Sequence, residues 1–262
     1  MDLDLQDRAY LVTGGSRGIG LAIARALVAE GARVAICGRD ADACADAAAQ
    51  LGGGVVGLAG DVSTPAGAAG VVEQAVAALG RLDGVVNNAG SFGGGPLAAL
   101  PRETLESGLA TKVSGPLQLV QAALESLRAS DRPAVVNISG ISAQKITPGA
   151  AMTAVSNTGV VALSAYLAHE LLPDGIRVNA VIPGYTSTGV WETRAEALAS
   201  AEGLSLEEAQ QAILARQGMG HARWGRPEEI ASVVVWLLSG AASFVNGVSL
   251  RVDGGQLPVV SA

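Results

Sequence analysis

The sequence predicts an α/β fold in which helices cover both faces of a doubly wound, seven-stranded parallel sheet. Short apolar runs alternate with longer segments of helical period along the chain, as they do in βαβ units. A glycine-rich turn follows the first apolar run directly, where a strand would pass into a helix. No linker, internal repeat or low-complexity segment interrupts this alternation, so we expect a single domain over residues 1–262.

Seven strands are expected where short apolar runs stand between turn residues. The runs are continuous rather than alternating, which is typical of parallel strands that are buried on both faces. In chain order the predicted strands are Ala9–Thr13, Arg33–Cys37, Val55–Ala59, Gly84–Asn87, Ala134–Ser139, Arg177–Ile182 and Val248–Val252. The chain between successive strands is long enough for the crossover helix that parallel pairing requires.

At least six helices are expected between these strands. The first is alanine-rich, covers Leu21–Glu30 and ends at Gly31. A second follows the second strand and contains Cys44. The others lie near 65–79, 102–128 and 150–172, with a last one at Pro227–Leu238.

The segment from Gly184 to Arg226 breaks this rhythm, because about forty residues pass where such a connection usually needs far fewer. It carries Trp191, Met219 and Trp224. We expect a helical insertion that covers a ligand cleft, with an inert surface excursion as the alternative. Its apolar and aromatic residues favour an apolar or ring-bearing small-molecule substrate.

Composition limits the partners of the protein. Apolar residues make up 49% of the chain and charged residues only 16%, which leaves apolar helix faces for a homodimer or homotetramer. The net charge of −7 and the absence of basic clusters argue against nucleic acid. Cys37 and Cys44 lack metal-ligand or disulfide-framework spacing, so no metal site is expected. No leader pattern or apolar run of about 18 residues stands out, which predicts a cytoplasmic protein without a membrane span.

The glycine-rich turn predicts a dinucleotide site. Gly14 permits the tight turn, Gly18 allows close approach of the backbone to phosphates, and Gly20 allows the helix to pack closely on the strand. Backbone N–H groups and the helix dipole then face a bound pyrophosphate, as in a Rossmann fold. The residues expected to contact the cofactor here are Thr13, Gly14, Ser16, Arg17, Gly18, Ile19 and Gly20.

The order of the motifs resembles that of the short-chain dehydrogenase/reductase family over essentially the whole chain. The family's nucleotide motif, Thr-Gly-x3-Gly-x-Gly, stands at residues 13–20. Its later markers are similar to Asp61-Val62, Asn87-Asn88-Ala89-Gly90, Pro183-Gly184, Thr188, and the stretches 223–229 and 252–255. The resemblance implies that Asp61 and Val62 hold the adenine, and that Asn88, Ala89 and Gly90 line the cofactor. It also places Pro183 and Gly184 at the site and Thr188 against the nicotinamide carboxamide.

The end of the second strand bears on which nicotinamide nucleotide binds. An acidic residue there would bind the ribose hydroxyls, whereas a basic residue would accept a 2′-phosphate. Here the strand is followed by Arg39, and Arg17 lies in the glycine turn within reach. Two guanidinium groups suit a phosphate, so NADP(H) is favoured over NAD(H). The alternative is that Arg39 is a solvated loop residue and Asp40 binds the ribose.

The side chains that perform the family's chemistry are absent. The family uses a tyrosine acid/base, a lysine four residues later, a serine on the preceding strand–loop and an asparagine on the fourth helix. Thr153 stands at the tyrosine position, Asn157 at the lysine, Gly140 at the serine and Lys112 at the asparagine. None of the three tyrosines is followed by a lysine at that spacing. A threonine hydroxyl is too weak an acid to replace tyrosine, and loss of a positioned acid costs about 10² to 10⁴ in rate.

Substitute groups are nevertheless present in the predicted cleft. Lys112 and Lys145 are the only lysines of the chain, and either can supply a cation. Ser139 or Ser142 can donate a hydrogen bond, and Tyr185 can reach a substrate from the opposite wall. In the alternative, these residues merely fill or solvate the pocket. Thr153 and Asn157 are the remaining candidates for catalysis, and Asn157 is also expected to line the cofactor.

Three functions follow from these observations. The first is an NADP(H)-binding oxidoreductase for carbonyls or alcohols whose active site has been rewired. The second is a redox-silent subunit that pairs with an active relative through the helices near 102–128 and 150–172. The third is a lyase or isomerase that reuses the cleft without redox chemistry.

Overall fold

Seven parallel strands form one sheet in the computed structural model of the chain, which describes residues 2–90, 93–219 and 222–258. The strands are β1 (Ala9–Thr13), β2 (Arg33–Gly38), β3 (Val56–Ala59), β4 (Gly84–Asn87), β5 (Ala134–Ile138), β6 (Arg177–Pro183) and β7 (Ser249–Val252). Their spatial order is β3-β2-β1-β4-β5-β6-β7, and every neighbouring pair is parallel. The predicted fold class is therefore confirmed.

Helices cover both faces of this sheet. They are α1 (Gly18–Ala29), α2 (Ala41–Leu51), α3 (Pro65–Leu79), α4 (Arg102–Leu109), α5 (Gly115–Arg128), α6 (Ala151–Glu170), α7 (Gly189–Glu202), α8 (Leu206–Arg216) and α9 (Pro227–Leu238). Successive residues of β1 serve opposite faces: Tyr10 and Val12 pack towards α1 and α9, whereas Ala9 and Leu11 pack towards α3 and α5. Both faces of the sheet are thus buried, which explains the continuous apolar runs.

The strand order reverses between β1 and β4, and this reversal creates the crevice in which such sheets bind ligands. From β1 the chain first proceeds outwards to β2 and β3. It then returns to place β4 on the other side of β1. Every predicted site motif in a strand-to-helix loop therefore lies at one edge of the sheet, where the carboxyl ends of the strands meet.

The helix predicted near 102–128 is interrupted by a π turn, Ala110–Ser114, between α4 and α5. Pro116 has no backbone N–H, so the ordinary helical hydrogen bond to the carbonyl of Lys112 cannot form. The wider turn accommodates that loss, and such turns are frequent at functional sites. Lys112 lies in the middle of it.

The segment 184–226 contains the two helices α7 and α8, of which only the general helical character was predicted. Thr186 forms an isolated parallel bridge with Gly225, which ties the two ends of the segment together. Buried or half-buried aromatic residues form a small third core beneath α7 and α8.

Among the described residues, α6 is the one helix long and apolar enough to cross a membrane, with a mean hydropathy of 1.3. No run of this kind was expected, because threonine, serine and asparagine are interspersed along it. The helix packs beside β5 and β6, and its Ser164 accepts a hydrogen bond of 2.8 Å from Asn137 of β5. Part of its apolar surface, including Leu167 and Ala168, thus belongs to the core of the sheet.

Candidate active site

The glycine turn between β1 and α1 presents free backbone donors at the crevice. Gly14 and Gly18 have φ angles of +62° and +56°, a region that glycine enters without steric cost. Arg17 precedes α1 in extended conformation, and no side chain caps the first turn of the helix. The N–H groups of that turn are therefore available for an anion such as a pyrophosphate.

The loop after β4 holds this turn in place. The hydroxyl of Thr13 accepts hydrogen bonds of 2.9 Å from the backbone N–H groups of Asn88 and Ala89. The Asn88 amide donates to the carbonyls of Thr13 and Gly14 at 2.9 and 3.1 Å. A Cβ atom on Gly20 would lie 2.5 Å from the Asn88 Nδ2, so only glycine fits there. The two predicted cofactor motifs are thus one hydrogen-bonded unit.

The end of β2 forms the basic corner of the site. Ser16 lies beside Gly38, and the side chains of Arg17 and Arg39 are both exposed. Asp40 caps α2 through a hydrogen bond of 3.1 Å from the N–H of Ala43. One oxygen of the Asp40 carboxylate is therefore engaged by the helix.

The adenine position predicted from the family lies beyond β3. Val62 is buried and Asp61 is exposed. Hydrogen bonds from the hydroxyl and the backbone N–H of Ser63 lower the pKa of Asp61, and nearby Arg39 adds to this effect. Asp61 thus remains an anion and an acceptor at neutral pH.

Lys112 and Asn157 meet across the crevice although they come from different helices. The ammonium of Lys112 donates to Oδ1 of Asn157 at 2.5 Å and to the carbonyl of Ser139 at 3.2 Å. The amide of Asn157 in turn donates to the hydroxyl of Ser142 at 2.7 Å, and this hydroxyl donates to the carbonyl of Thr153. We call these three side chains, Lys112, Asn157 and Ser142, the crevice network.

Two glycines make room for the crevice network. A Cβ atom on Gly140 would lie 3.0 Å from the Nδ2 of Asn157, so a serine at position 140 would crowd the asparagine. A Cβ atom on Gly90 would lie 3.2 Å from Cε of Lys112. Positions 112 and 140, at which the sequence analysis expects departures from the family pattern, therefore both adjoin Asn157, a third such position.

The other predicted catalytic residues lie around the network in different roles. The hydroxyl of Thr153 donates to the carbonyl of Ala150 within its own helix, and Ser139 is buried and donates to the carbonyl of Asn157. Lys145 is half-buried after the short helical turn at 141–143, and its side chain bonds to none of the described residues.

Burial lowers the pKa of Lys112 from 10.5 to about 8. Its two partners are neutral oxygen atoms, so no carboxylate offsets the cost of removing the ammonium from water. An amine with this pKa can release a proton near neutral pH.

The segment 184–226 contributes the opposite wall of the crevice. Tyr185 follows Pro183 and Gly184, and its ring lies 4.5 Å from that of Trp191, centroid to centroid. Trp224 completes the aromatic cluster at 6.4 Å from Tyr185. Burial raises the pKa of Tyr185, which weakens its phenol as an acid. Its ring therefore acts mainly as part of an apolar wall.

Thr188 brings this wall to the glycine turn. It precedes the first residue of α7, and its Cγ2 would lie 3.3 Å from a Cβ atom on Gly18. A ligand seated on the turn would therefore pass beneath Thr188, as expected for a residue that meets the cofactor.

Sequence reasoning missed three features of the site. The packing of Gly140 against Asn157 depends on the fold and left no local signal. Arg194, whose guanidinium carbon lies 4.7 Å above the Trp191 ring, was also missed. The cap formed by Asp40 could have been found, since an aspartate directly before a helix is a strong capping signal.

Known proteins resemble this chain over nearly its whole length. A family model described as enoyl-(acyl carrier protein) reductase matches residues 14–256. The rhamnolipids biosynthesis 3-oxoacyl-(acyl-carrier-protein) reductase of Pseudomonas aeruginosa is 37% identical over 260 residues, which is 96% of each chain. An inactive 2-(S)-hydroxypropyl-CoM dehydrogenase 2 of Xanthobacter autotrophicus is 35% identical over 237 residues, 90% of this chain and all of that one.

A solved structure shows the same architecture with a ligand bound. L-sorbose reductase of Gluconobacter frateurii, in complex with NADPH and L-sorbose, superposes with a TM-score of 0.93. The two proteins are 29% identical, and the match covers 99% of this chain and 100% of the other.

Proposed function

Because this chain belongs to the short-chain dehydrogenase/reductase family of oxidoreductases, we propose that it binds NADP(H) and interconverts carbonyls and alcohols at a rebuilt active site. The observation that carries the proposal is the crevice network. Lys112, Asn157 and Ser142 hydrogen-bond in a continuous chain where the usual catalytic side chains are missing. A site that had merely lost its function would not be expected to keep its departures in mutual contact.

The basic corner supports NADP(H) over NAD(H). Arg17 and Arg39 are exposed beside Ser16 and can close on a 2′-phosphate with charge-assisted hydrogen bonds. If NAD(H) were preferred, Asp40 would bind the ribose hydroxyls. One oxygen of its carboxylate, however, already accepts a hydrogen bond from the N–H of Ala43. The crystal structure of L-sorbose reductase, which has the same fold, contains bound NADPH.

The crevice network offers the groups that reduction of a carbonyl requires. Bound NADP(H) would supply or accept the hydride. Reduction also creates an alkoxide, which must receive a proton and be stabilised while it forms. Lys112, with a pKa of about 8, provides that proton directly or through an intervening hydroxyl, and Ser142 and Asn157 keep its ammonium in place.

The aromatic wall supports an apolar or ring-bearing substrate. Tyr185, Trp191 and Trp224 form a cluster under α7 and α8. These two helices would cover the bound molecule. They belong to the same single domain as the sheet. Exposed Ile146, in the loop after β5, adds apolar surface to the opposite side.

The same proposal includes a homodimer or homotetramer in the cytoplasm. Val155 and Tyr166 are 50% and 59% exposed on α6. They are eleven residues apart, about three helical turns, and so lie on one stripe of the helix. An exposed apolar stripe of this kind suits helix pairing between subunits.

Calorimetric titration of the purified protein with NADPH and NADH, followed by a turnover screen with ketones and aldehydes, tests the proposal. We expect NADPH to bind at least tenfold more tightly than NADH, and carbonyl-dependent oxidation of NADPH to follow. Absence of binding by either nucleotide would contradict the proposal and leave the glycine turn as inherited scaffold.

A redox-silent subunit that pairs with an active relative is the second candidate. It is favoured by Thr153, whose hydroxyl donates back into its own helix and is no acid for a substrate. The family also contains a relative named as inactive. Tight NADPH binding without turnover, together with copurification of a second family member, would favour this role. A lyase or isomerase would instead turn over its substrate without consuming NADPH.

A further inference from the structure

A cavity of about 430 Å³ opens at the amino edge of the sheet, where β5, β6 and β7 begin. Its volume lies within the usual range for sites that bind small molecules. The loops that lead into these three strands form its walls. The crevice described above lies at the opposite, carboxyl edge, so this amino-edge cavity is separate from it.

Arg177, the first residue of β6, brings a half-buried guanidinium to the amino-edge cavity. It donates to the carbonyls of Leu237, Ser239 and Val245 at 2.8, 3.2 and 3.3 Å. Leu237 and Ser239 lie at the carboxyl end of α9, which attracts a cation, but all three acceptors are neutral groups that leave its charge uncancelled. These bonds use at most three of the five N–H donors, so two remain for a ligand.

The other arginines around the amino-edge cavity already have carboxylate partners. The ion pairs join Arg8, Arg81, Arg128 and Arg132 to Asp4, Asp83, Asp131 and Asp174. Arg177 has no such partner among the described residues, and burial lowers its pKa without any carboxylate to oppose the effect. In a chain whose net charge is −7, this edge therefore keeps one positive charge that an anion can neutralise.

The hydroxyl of Tyr10 is a second unsatisfied polar group near these arginines. Tyr10 is fully buried, and its hydroxyl has no hydrogen-bond partner among the described residues. The charges of Arg132 and Arg177, which both line the cavity, lower the pKa of this phenol against the opposite effect of burial. Buried hydroxyls without a partner are rare and indicate a position for a water or a ligand oxygen.

Apolar side chains line the rest of the amino-edge cavity. Pro133 and Ile176 are buried in its wall, whereas Leu172 and Phe244 line it with exposed fractions of 60% and 104%. Large apolar side chains gain free energy when a ligand covers them. One cavity thus combines an unpaired cation with uncovered apolar surface.

We propose that the amino-edge cavity is a second ligand site, which binds a small organic carboxylate with an apolar or aromatic body. The carboxylate accepts from the remaining donors of Arg177, since a charged pair of this kind gives the stronger class of hydrogen bond. The body of the ligand covers Leu172 and Phe244. Because the site lies away from the crevice, the proposal does not depend on NADP(H) binding or on turnover.

Calorimetric titration with 4-phenylbutyrate tests the site, with 4-phenylbutanol and inorganic phosphate as comparison ligands. The wild type should bind 4-phenylbutyrate. The alcohol should bind about tenfold more weakly or worse, because it lacks the charge. Phosphate should also bind at least about tenfold more weakly, because it lacks the apolar body. The proposal is overturned if 4-phenylbutyrate does not bind at millimolar concentration, or if either comparison ligand binds as tightly.

Three variants locate the bound carboxylate. Arg177→Gln removes the unpaired charge, and Ser243→Glu places a carboxylate at the exposed rim of the cavity. Arg102→Gln is the matched control, since Arg102 is largely exposed on α4 and pairs with Glu106. Arg177→Gln should weaken 4-phenylbutyrate binding by about tenfold or more, the effect of losing a hydrogen bond to a charged group. Ser243→Glu should weaken it about fivefold through repulsion of like charges, and Arg102→Gln should bind as wild type does.

Ser243→Glu also covers the case in which Arg177→Gln does not fold, because Ser243 is exposed and its side chain bonds to none of the described residues. Unchanged binding in Ser243→Glu, or in a folded Arg177→Gln, would place the ligand elsewhere and overturn the proposal. An equal loss in Arg102→Gln would reveal a general effect of charge and overturn it as well. Neither result would bear on the function proposed for the crevice.

Discussion

Each of the two edges of the sheet contains a partly buried charged cluster. At only one of them is the buried charge compensated by opposite charges among the described residues. At the amino edge, before β4, the fully buried carboxylate of Asp83 accepts from the guanidinium groups of Arg8 and Arg81 at 3.3 and 2.9 Å. It also accepts from the N–H of Ala9 and the hydroxyl of Ser130. At the carboxyl edge, the partners of Lys112 among the described residues are all neutral.

This difference distinguishes a compensated structural cluster from the crevice network, at which we propose that a ligand binds. A buried charge is tolerated when opposite charge and hydrogen bonds compensate it, and Asp83 meets both conditions. Within the described part of the chain no carboxylate pairs with Lys112, and burial lowers the pKa of its ammonium. A buried charge that lacks compensation in this way is more common at functional sites than elsewhere in proteins.

The largest effect is expected at the amino edge. Asp83→Ala removes the carboxylate and leaves Arg8 without its buried partner, which should lower the free energy of unfolding by about 3–5 kcal/mol. Urea denaturation measures the loss. Asp131→Ala is the control, since its carboxylate is 71% exposed and its pair with Arg8 should contribute no more than about 1 kcal/mol. Equal losses from both variants would remove the distinction between a buried and an exposed pair.

At the carboxyl edge, the basic corner should determine nucleotide choice without affecting the fold. Arg39→Ala removes a guanidinium that is exposed in the free protein, so stability should change by less than about 0.5 kcal/mol. NADPH affinity should fall by about tenfold to a hundredfold, the range for a lost charge-assisted hydrogen bond. NADH affinity should stay the same in calorimetry. A parallel fall for both nucleotides would mean that Arg39 does not contact the 2′-phosphate.

Raising the pH should increase the contribution of Lys112 to the stability of the folded chain. The folded chain releases the proton of Lys112 near pH 8, whereas the unfolded chain keeps it up to about 10.5. The unfolded state therefore binds more protons between these values, and Lys112 makes the free energy of unfolding rise with pH.

Lys112→Met isolates this contribution, because it keeps a long apolar side chain without a titrating group. The difference in unfolding free energy between wild type and this variant should change between pH 7.5 and 10, in favour of the wild type at high pH. A constant difference would show that Lys112 does not titrate in this window.

The smallest effect is expected from restoring serine at position 140. Gly140→Ser places a Cβ atom 3.0 Å from Nδ2 of Asn157 and should cost about 1 kcal/mol in thermal unfolding. Added to Asn157→Ala, the same Gly140→Ser change should cost much less, because alanine vacates the crowded space. Independent, additive effects of the two changes would argue against direct contact.

The fold could be predicted from the sequence because its signals are local. The apolar runs and the glycine turn identified all seven strands, and β1, β4 and α9 begin and end where expected. The π turn could not be predicted from periodicity, since the residues from Arg102 to Arg128 form one continuous helical pattern. Its cause is Pro116, which lacks the N–H that would donate to the carbonyl of Lys112 in an ordinary helix.

The candidate site could be predicted only in part. The motifs predicted that the residues expected to bind the cofactor lie together, because each follows a strand and parallel strands end at one edge of the sheet. The contact between Lys112 and Asn157 joins residues 45 positions apart on different helices, and no local pattern encodes it. The sequence therefore predicts replacements at four catalytic positions, whereas the structure shows that the residues at two of these positions, 112 and 140, adjoin the residue at a third, Asn157.

The most direct test of the rebuilt site is single-turnover oxidation of bound NADPH by a panel of carbonyl compounds, with wild type and Lys112→Asn compared at saturating nucleotide. We predict that the wild type oxidises NADPH with at least one apolar or ring-bearing carbonyl. The variant, loaded with nucleotide to the same extent, should react about 10² to 10⁴ times more slowly, as expected for loss of a proton donor. Equal rates in the two proteins, or tight binding of NADPH without oxidation in either, would contradict the account.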